Sequence, residues 1–291
     1  MSRTMTLGES VAAYIGLAKP RIIELLLITT VPSMILAAGK WPGTWLVAAT
    51  LVGGTLSAGG ANAVNSYLER DRDRLMDRTA ARPLPTGRVT ARGALLFGAG
   101  LGVGGAVWLA VVVNPAAAAL ATGGLLFYVF VYTITLKPRT AQNIVIGGAA
   151  GAAPTLVGWA AVTGGLELPA WILFAIVFYW TPPHFWALAL RFKDDYAAAG
   201  IPMLPVVAGE AETVRQIVRF TLLLVAATLL LFPSAHLGVF YLLAALLLGA
   251  LLSAAAVRLK SRPESALEFF HLTNLYLTLL FAAMAIDVLR A

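Results

Sequence analysis

The sequence predicts an all-α, polytopic membrane protein with nine transmembrane helices, its N-terminus in the cytoplasm and its C-terminus outside. Three observations carry that reading. Apolar stretches of about 20 residues, each long enough to cross a bilayer of about 30 Å as a helix, recur along the chain. Of the 291 residues 59% are hydrophobic and 12% charged, with a mean hydropathy of +0.83, whereas a soluble domain carries about 25% charged residues. The connections between the apolar stretches also alternate in charge.

The nine segments lie near 22–39, 45–68, 93–113, 116–135, 143–163, 169–190, 213–232, 237–257 and 268–288. One set of connections is basic: the N-terminal segment of about 1–18 with the following Lys19 and Arg21, the 69–92 loop, Lys137 with Arg139, the 191–212 loop running on to Arg219, and Arg258 to Arg262. The other set is short and nearly uncharged: Lys40 to Gly43, Asn114-Pro115, Gly164 to Glu167, and Pro233 to His236. Of 21 Lys and Arg, only Lys40 and Arg290 fall on the second side. Positive charge marks the cytoplasmic side, which fixes the expected orientation and accounts for the net charge of +7 without a nucleic-acid partner. The start, Met1 to Ser10, lacks the apolar core of a removable signal peptide. The expectation is one integral-membrane domain over 1–291 in a cell membrane, with the lipid bilayer as its first partner.

No Cys is present, which excludes disulfides, Cys-ligated metal and a Cys nucleophile. Glycines cluster inside the expected helices at Gly53-Gly54, Gly59-Gly60, Gly98 to Gly105 and Gly147 to Gly151. Small residues let helix backbones approach closely in lipid, so packing is the first expectation and room for a bulky ligand the second.

Chemistry concentrates where the second segment ends. Glu69 to Arg78 holds four acids and four bases in ten residues, and carboxylates beside a membrane helix are costly unless they bind something. Asn65, Glu69 and Asp73 stand at i, i+4 and i+8, so a helix running past the membrane surface presents an amide and two carboxylates on one face. Hard oxygen donors of this kind suit Mg²⁺. By spacing alone, a salt-bridged helix end fits equally well.

A second acidic loop follows the sixth segment. With a helix starting at Pro182-Pro183, His184, Leu188, Arg191 and Asp195 share a face. Asp194 and Asp195 then approach from the same membrane side as Glu69 and Asp73. Two acidic clusters interleaved with Arg and Lys are what a Mg²⁺–diphosphate site requires, the acids holding metal and the cations holding phosphate oxygens.

These motifs resemble the UbiA superfamily of intramembrane prenyltransferases. The resemblance rests on Asn65-x3-Glu69-x3-Asp73, Arg78-Thr79-x2-Arg82-Pro83-Leu84 and the second acidic loop. The finer likeness is to the protoheme IX farnesyltransferase branch, through Lys19-Pro20-Arg21, Tyr132-Thr133, Lys137-Pro138-Arg139-Thr140, Asn143 to Gly148, Pro183-His184-Phe185-Trp186 and Gly200 to Pro205. The superfamily motif usually has Asp after its Asn and at +4; here Ser66 and Glu69 stand there, which favours the heme branch over quinone-type enzymes.

The resemblance implies a UbiA-like helical bundle with Mg²⁺ as cofactor. It implies transfer of farnesyl from farnesyl diphosphate to a vinyl group of heme B, with water added, to give heme O. Asn65, Glu69, Asp73 and Asp195, with Asp194, are then the catalytic and metal-binding set. Lys137, Arg139, Arg191 and Lys193, and after them Arg21, Arg72 and Arg78, are candidates for the phosphate oxygens. His184, Tyr67, Tyr128, Tyr132, Phe185 and Trp186 are candidates for the acceptor or the prenyl chain, with His184 a possible iron ligand. Heme A synthase is a further expected partner. The alternatives weighed are prenylation of a quinone precursor such as 4-hydroxybenzoate, and a transporter, whose charges belong nearer the bilayer midplane.

Overall fold

A computed structural model describes residues 6–290, with backbone alone for 21–27. Every regular element among the described residues is helical. The helices α1 (Leu7–Ala18), α2 (Pro20–Ala38), α3 (Thr44–Asp73), α4 (Asp77–Ala80) and α5 (Ala91–Trp108) come first. Next are α6 (Pro115–Leu126), α7 (Asn143–Thr163), α8 (Leu168–Arg191), α9 (Lys193–Ala198) and α10 (Leu204–Val207). Last are α11 (Gly209–Ser234), α12 (Val239–Arg258) and α13 (Ala266–Arg290). Two π-helical stretches, Leu109–Val113 and Phe127–Leu136, extend α5 and α6.

Among the described residues, eight helices are long and apolar enough to cross a membrane. They match the second to ninth expected segments. The first, 22–39, coincides with α2, of which 21–27 lie outside the side chains described.

The glycine clusters do what the packing expectation asks. A Cβ on Gly60 would stand 2.7 Å from both Gly102 N and Gly98 O, and one on Gly105 2.8 Å from Ser57 N. Helices α3 and α5 therefore touch backbone to backbone, which is how lipid-embedded helices gain dispersion contact when water provides no drive. Gly158 brings α7 equally close to Thr30 of α2.

Two expectations change. Pro182 and Pro183 do not start a helix; they sit inside α8, which begins fourteen residues earlier at Leu168-Pro169. Proline inside a helix removes its i→i−4 bond, a loss that a membrane helix tolerates when it is buried among its neighbours, as this part of α8 is. The helix also ends before the second acids. Phe192 leaves helical geometry (φ −113°, ψ 32°), so Asp194 and Asp195 belong to the separate α9 and do not continue the face of His184.

Candidate active site

Helix α3 does not stop at the apolar boundary but runs 30 residues to Asp73. That carries Asn65 (1% exposed), Glu69 (4%) and Asp73 (1%) on to the wall of a cavity of about 350 Å³. Deeper along the same face stand Asn62, Ala61, Ala58 and Gly54. The other walls come from α6 with its π-helical extension, α7 and α8, and the 76–82 segment, Tyr196 and Met203 line it too.

Each oxygen donor on α3 meets a basic side chain from a different part of the chain. Lys19, between α1 and α2, donates to Asn65 Oδ1 at 2.9 Å. Lys137, just past the π-helix, pairs with Glu69. Arg82 donates from Nη1 to both Asp73 oxygens, at 3.0 and 2.8 Å. The Asn65 amide is fixed at its other end, where Nδ2 donates to Thr133 Oγ1 at 3.1 Å. Ser66 turns away and donates to Asn62 O at 2.9 Å, so the position where the superfamily motif carries an acid adds nothing to the cavity.

Lys19 holds its place through an unusual backbone. Its φ of 55° is left-handed, shared among the described non-glycine residues only with His236. Such a conformation costs an L-residue about 1–2 kcal/mol and is characteristic of functional sites. Burial, and after it the repulsion of Arg82, pulls the Lys19 ammonium down to about 7.

The expected residues separate into those the cavity gathers and those it does not. Tyr128, Tyr132, Lys137, Arg78 and Phe185 line it; Tyr128 and Tyr132 stack with centroids 5.4 Å apart. Arg72 and Arg139 line a separate groove on the other side of Glu69, where Arg139 donates to Ile134 O and Thr135 O, both at 3.0 Å. Arg191 is exposed, and Lys193 pairs with Glu210 at 3.6 Å. Asp194 is exposed and Asp195 half-buried; neither reaches the wall, although the next residue, Tyr196, does. Tyr67 lies under the Arg70 guanidinium, 4.7 Å from its ring centre, and Trp186 packs edge-on against Phe220. Neither contributes to the cavity. His184 stacks behind Trp180 instead of facing the cavity, and the side chain of Arg21 lies outside the described residues. Sequence reasoning gave no role to Lys19, Arg82, Thr133 or Trp180. Lys19, Arg82 and Thr133 stand in the motifs that carry the resemblance, whereas Trp180 has no signal in the sequence.

The donor set fits Mg²⁺. Two buried carboxylates and an amide oxygen share one helix face, few enough that the ion keeps waters and phosphate oxygens as ligands. Among the described residues no three His, Asp or Glu side chains converge to hold a metal alone. The cavity also carries more cations than acids, Lys19, Arg78, Arg82 and Lys137 against Glu69 and Asp73. That surplus suits a polyanion that arrives with its metal.

A bundle of membrane helices with such a cavity places the chain in a known class: it belongs to the UbiA prenyltransferase family, which it matches over residues 26–282. Its fold is that of a digeranylgeranylglyceryl phosphate synthase structure, with a TM-score of 0.80 at 18% identity over 97% of this chain and all of that one. It is also that of a UbiA homologue from Archaeoglobus fulgidus bound to DMAPP and Mg²⁺, with a TM-score of 0.65 at 15% identity over 94% and 99%. More particularly, the chain is 51% identical to the protoheme IX farnesyltransferase of Frankia alni over 96% of its own length and 99% of that protein's. It is 51% identical to that of Clavibacter michiganensis subsp. michiganensis over 98% and 95%.

Proposed function

We propose that the chain transfers the farnesyl group of farnesyl diphosphate to a vinyl group of heme B, with addition of water, releasing diphosphate and heme O. The observation that carries this is the α3 face, on which Asn65, Glu69 and Asp73 each stand against a different basic side chain in one cavity. Half-identity along the whole chain to enzymes named for that acceptor supports heme over a quinone precursor.

Bound Mg²⁺ would supply charge neutralisation for the departing diphosphate, held by Asn65, Glu69 and Asp73. Lys19, Arg78, Arg82 and Lys137 take the phosphate oxygens and stabilise the charge that grows on the leaving oxygen as the allylic C–O bond breaks. The electron pair leaves with diphosphate. The allylic carbon bonds to the terminal vinyl carbon, and water adds to the inner one with loss of a proton. The stacked Tyr128 and Tyr132 offer their faces to the allylic cation. The apolar wall of α7 keeps water from the cation before the acceptor arrives.

Asp195 is a further acid in this reading: it does not line the cavity, but the next residue along the chain, Tyr196, does. The reading also includes a single domain of nine crossings, N-terminus inside, with the cavity mouth at the cytoplasmic face of the cell membrane. Its support is the placement of 19 of 21 basic residues on one side. A heme A synthase would be the natural recipient of the product. The test is mass spectrometry of heme extracted from cells lacking heme O after expression of this chain. Hydroxyethylfarnesyl heme is expected, and its absence with the protein correctly inserted overturns the reading.

A further inference from the structure

The small residues on the cavity wall stop at a definite depth. Going from Asn65 back along α3, the lining face carries Ala61, Ala58 and Gly54, and its first large apolar side chain is Leu51. Helix α7 makes the same change, from Gly148 and Gly151 to Val157. Beyond these residues the space is filled. Leu51 packs against a buried apolar cluster that includes Met34, Val47, Leu109 and Val157. Two hydroxyls at this depth are turned to the backbone: Thr50 Oγ1 donates to Leu46 O at 2.8 Å and Ser57 Oγ to Ala121 O at 3.3 Å. Gly54 lines the cavity, and a Cβ there would meet no atom within 4 Å. A side chain at that position has room to enter and no neighbour to strike.

Leu51 stands fourteen residues from Asn65 on one unbroken helix, about 21 Å along its axis. That is the reach of a diphosphate followed by three extended isoprene units. Gly54 is three residues nearer Asn65, about 4.5 Å, which is close to one isoprene unit. We propose that Leu51 is the specificity-determining residue for prenyl length, its side chain closing the cavity where a farnesyl group ends, while Gly54 leaves the room that the third unit needs. This rests on the reading of the substrate as a prenyl diphosphate held at Asn65, Glu69 and Asp73. An apolar chain gains with every methylene it takes out of water, so a cavity without a floor favours the longest chain. A packed floor turns extra length into a clash.

Moving the floor in both directions tests this. Purified protein in detergent with Mg²⁺ is titrated by calorimetry with inorganic pyrophosphate and with geranyl, farnesyl and geranylgeranyl diphosphate. Wild type should bind the farnesyl compound most tightly of the three. Gly54→Leu raises the floor by one unit and should weaken farnesyl diphosphate by about tenfold or more, the scale of overpacking, with geranyl diphosphate and pyrophosphate unchanged. Leu51→Ala lowers the floor and should tighten geranylgeranyl diphosphate by about tenfold, with pyrophosphate again unchanged. A general loss of folding cannot imitate opposite changes in preference. A wild-type order of preference in Leu51→Ala, or in a Gly54→Leu protein that still binds pyrophosphate, overturns the proposal. Wild-type protein that binds pyrophosphate and none of the prenyl diphosphates more tightly overturns the prenyl reading of the cavity itself.

Discussion

Arg82 and Asp73 form a two-oxygen contact, a single guanidinium nitrogen 3.0 and 2.8 Å from the carboxylate oxygens nine residues back along the chain. The acid is buried and the base partly exposed, so this loop is tied down through its charge. Asp73→Asn keeps the shape, removes the charge and weakens the tie. Turnover to heme O, followed by mass spectrometry, should fall by about a hundredfold or more, the scale of losing one charge-stabilising group at a reacting centre. The variant should still insert and unfold near the wild-type temperature; wild-type turnover would remove Asp73 from the site.

Glu69 and Lys137 make the second pair, and here both partners are largely enclosed. Lys137→Met strands a buried carboxylate, a change that costs about 3–5 kcal/mol when a buried pair loses one member. A clear drop in unfolding temperature is expected. Adding Glu69→Gln should recover most of that stability and none of the activity. If the double variant is as unstable as Lys137→Met alone, the two side chains do not depend on each other in the way the pair implies.

Packing between α3 and α5 gives a contrast inside one residue type. Gly60→Ala places a methyl 2.7 Å from the backbone of Gly98 and Gly102, which cannot yield as a flexible side chain would. Gly100→Ala meets nothing within 4 Å. Thermal unfolding in detergent should show the first strongly destabilised and the second unchanged or slightly stabilised, since alanine is the better helix former by about 1 kcal/mol.

Asp287 caps a helix that is not its own. Its carboxylate accepts from Gly238 N at 2.5 Å and Tyr241 N at 3.1 Å, at the start of α12. An acid there also meets the positive end of the helix dipole. Asp287→Ala should cost about 1–2 kcal/mol, as lost N-caps do, visible as a lower unfolding temperature with turnover per folded molecule unchanged. Equal stability would mean that water replaces the carboxylate fully.

Much of this was legible in the sequence, and the reasons for the rest are specific. Membrane helices announce themselves through length and hydropathy, so eight expected segments reappear with boundaries shifted by a few residues. The Asn65–Glu69–Asp73 face followed from helical spacing, because α3 stays helical past the apolar boundary. Their partners did not follow: Lys19 and Thr133 reach Asn65 from 46 and 68 residues away, and no local pattern encodes such a contact. Asp195 shares a face with His184 and Arg191 only on one unbroken helix, and the break at Phe192 ends that face after Arg191. His184 is a candidate iron ligand only through the heme substrate that the resemblance implies; Trp180 and Phe270, from two helices, stack on its ring, and it does not line the cavity.

The π-helical stretch Phe127–Leu136 has an implication for how the site tolerates change. Its backbone bonds reach back five residues, as Lys137 N to Tyr132 O at 2.9 Å does, so it winds more loosely than an α-helix. Taking out one residue would let the segment relax toward α-geometry, and the residues beyond the cut would change both height and direction around the axis. Lys137 would then leave Glu69 although its own identity and every residue it touches were intact. Along this segment the arrangement of the candidate site is written in the number of residues as much as in their kinds, and a sequence can lose it by a deletion that alters none of its letters.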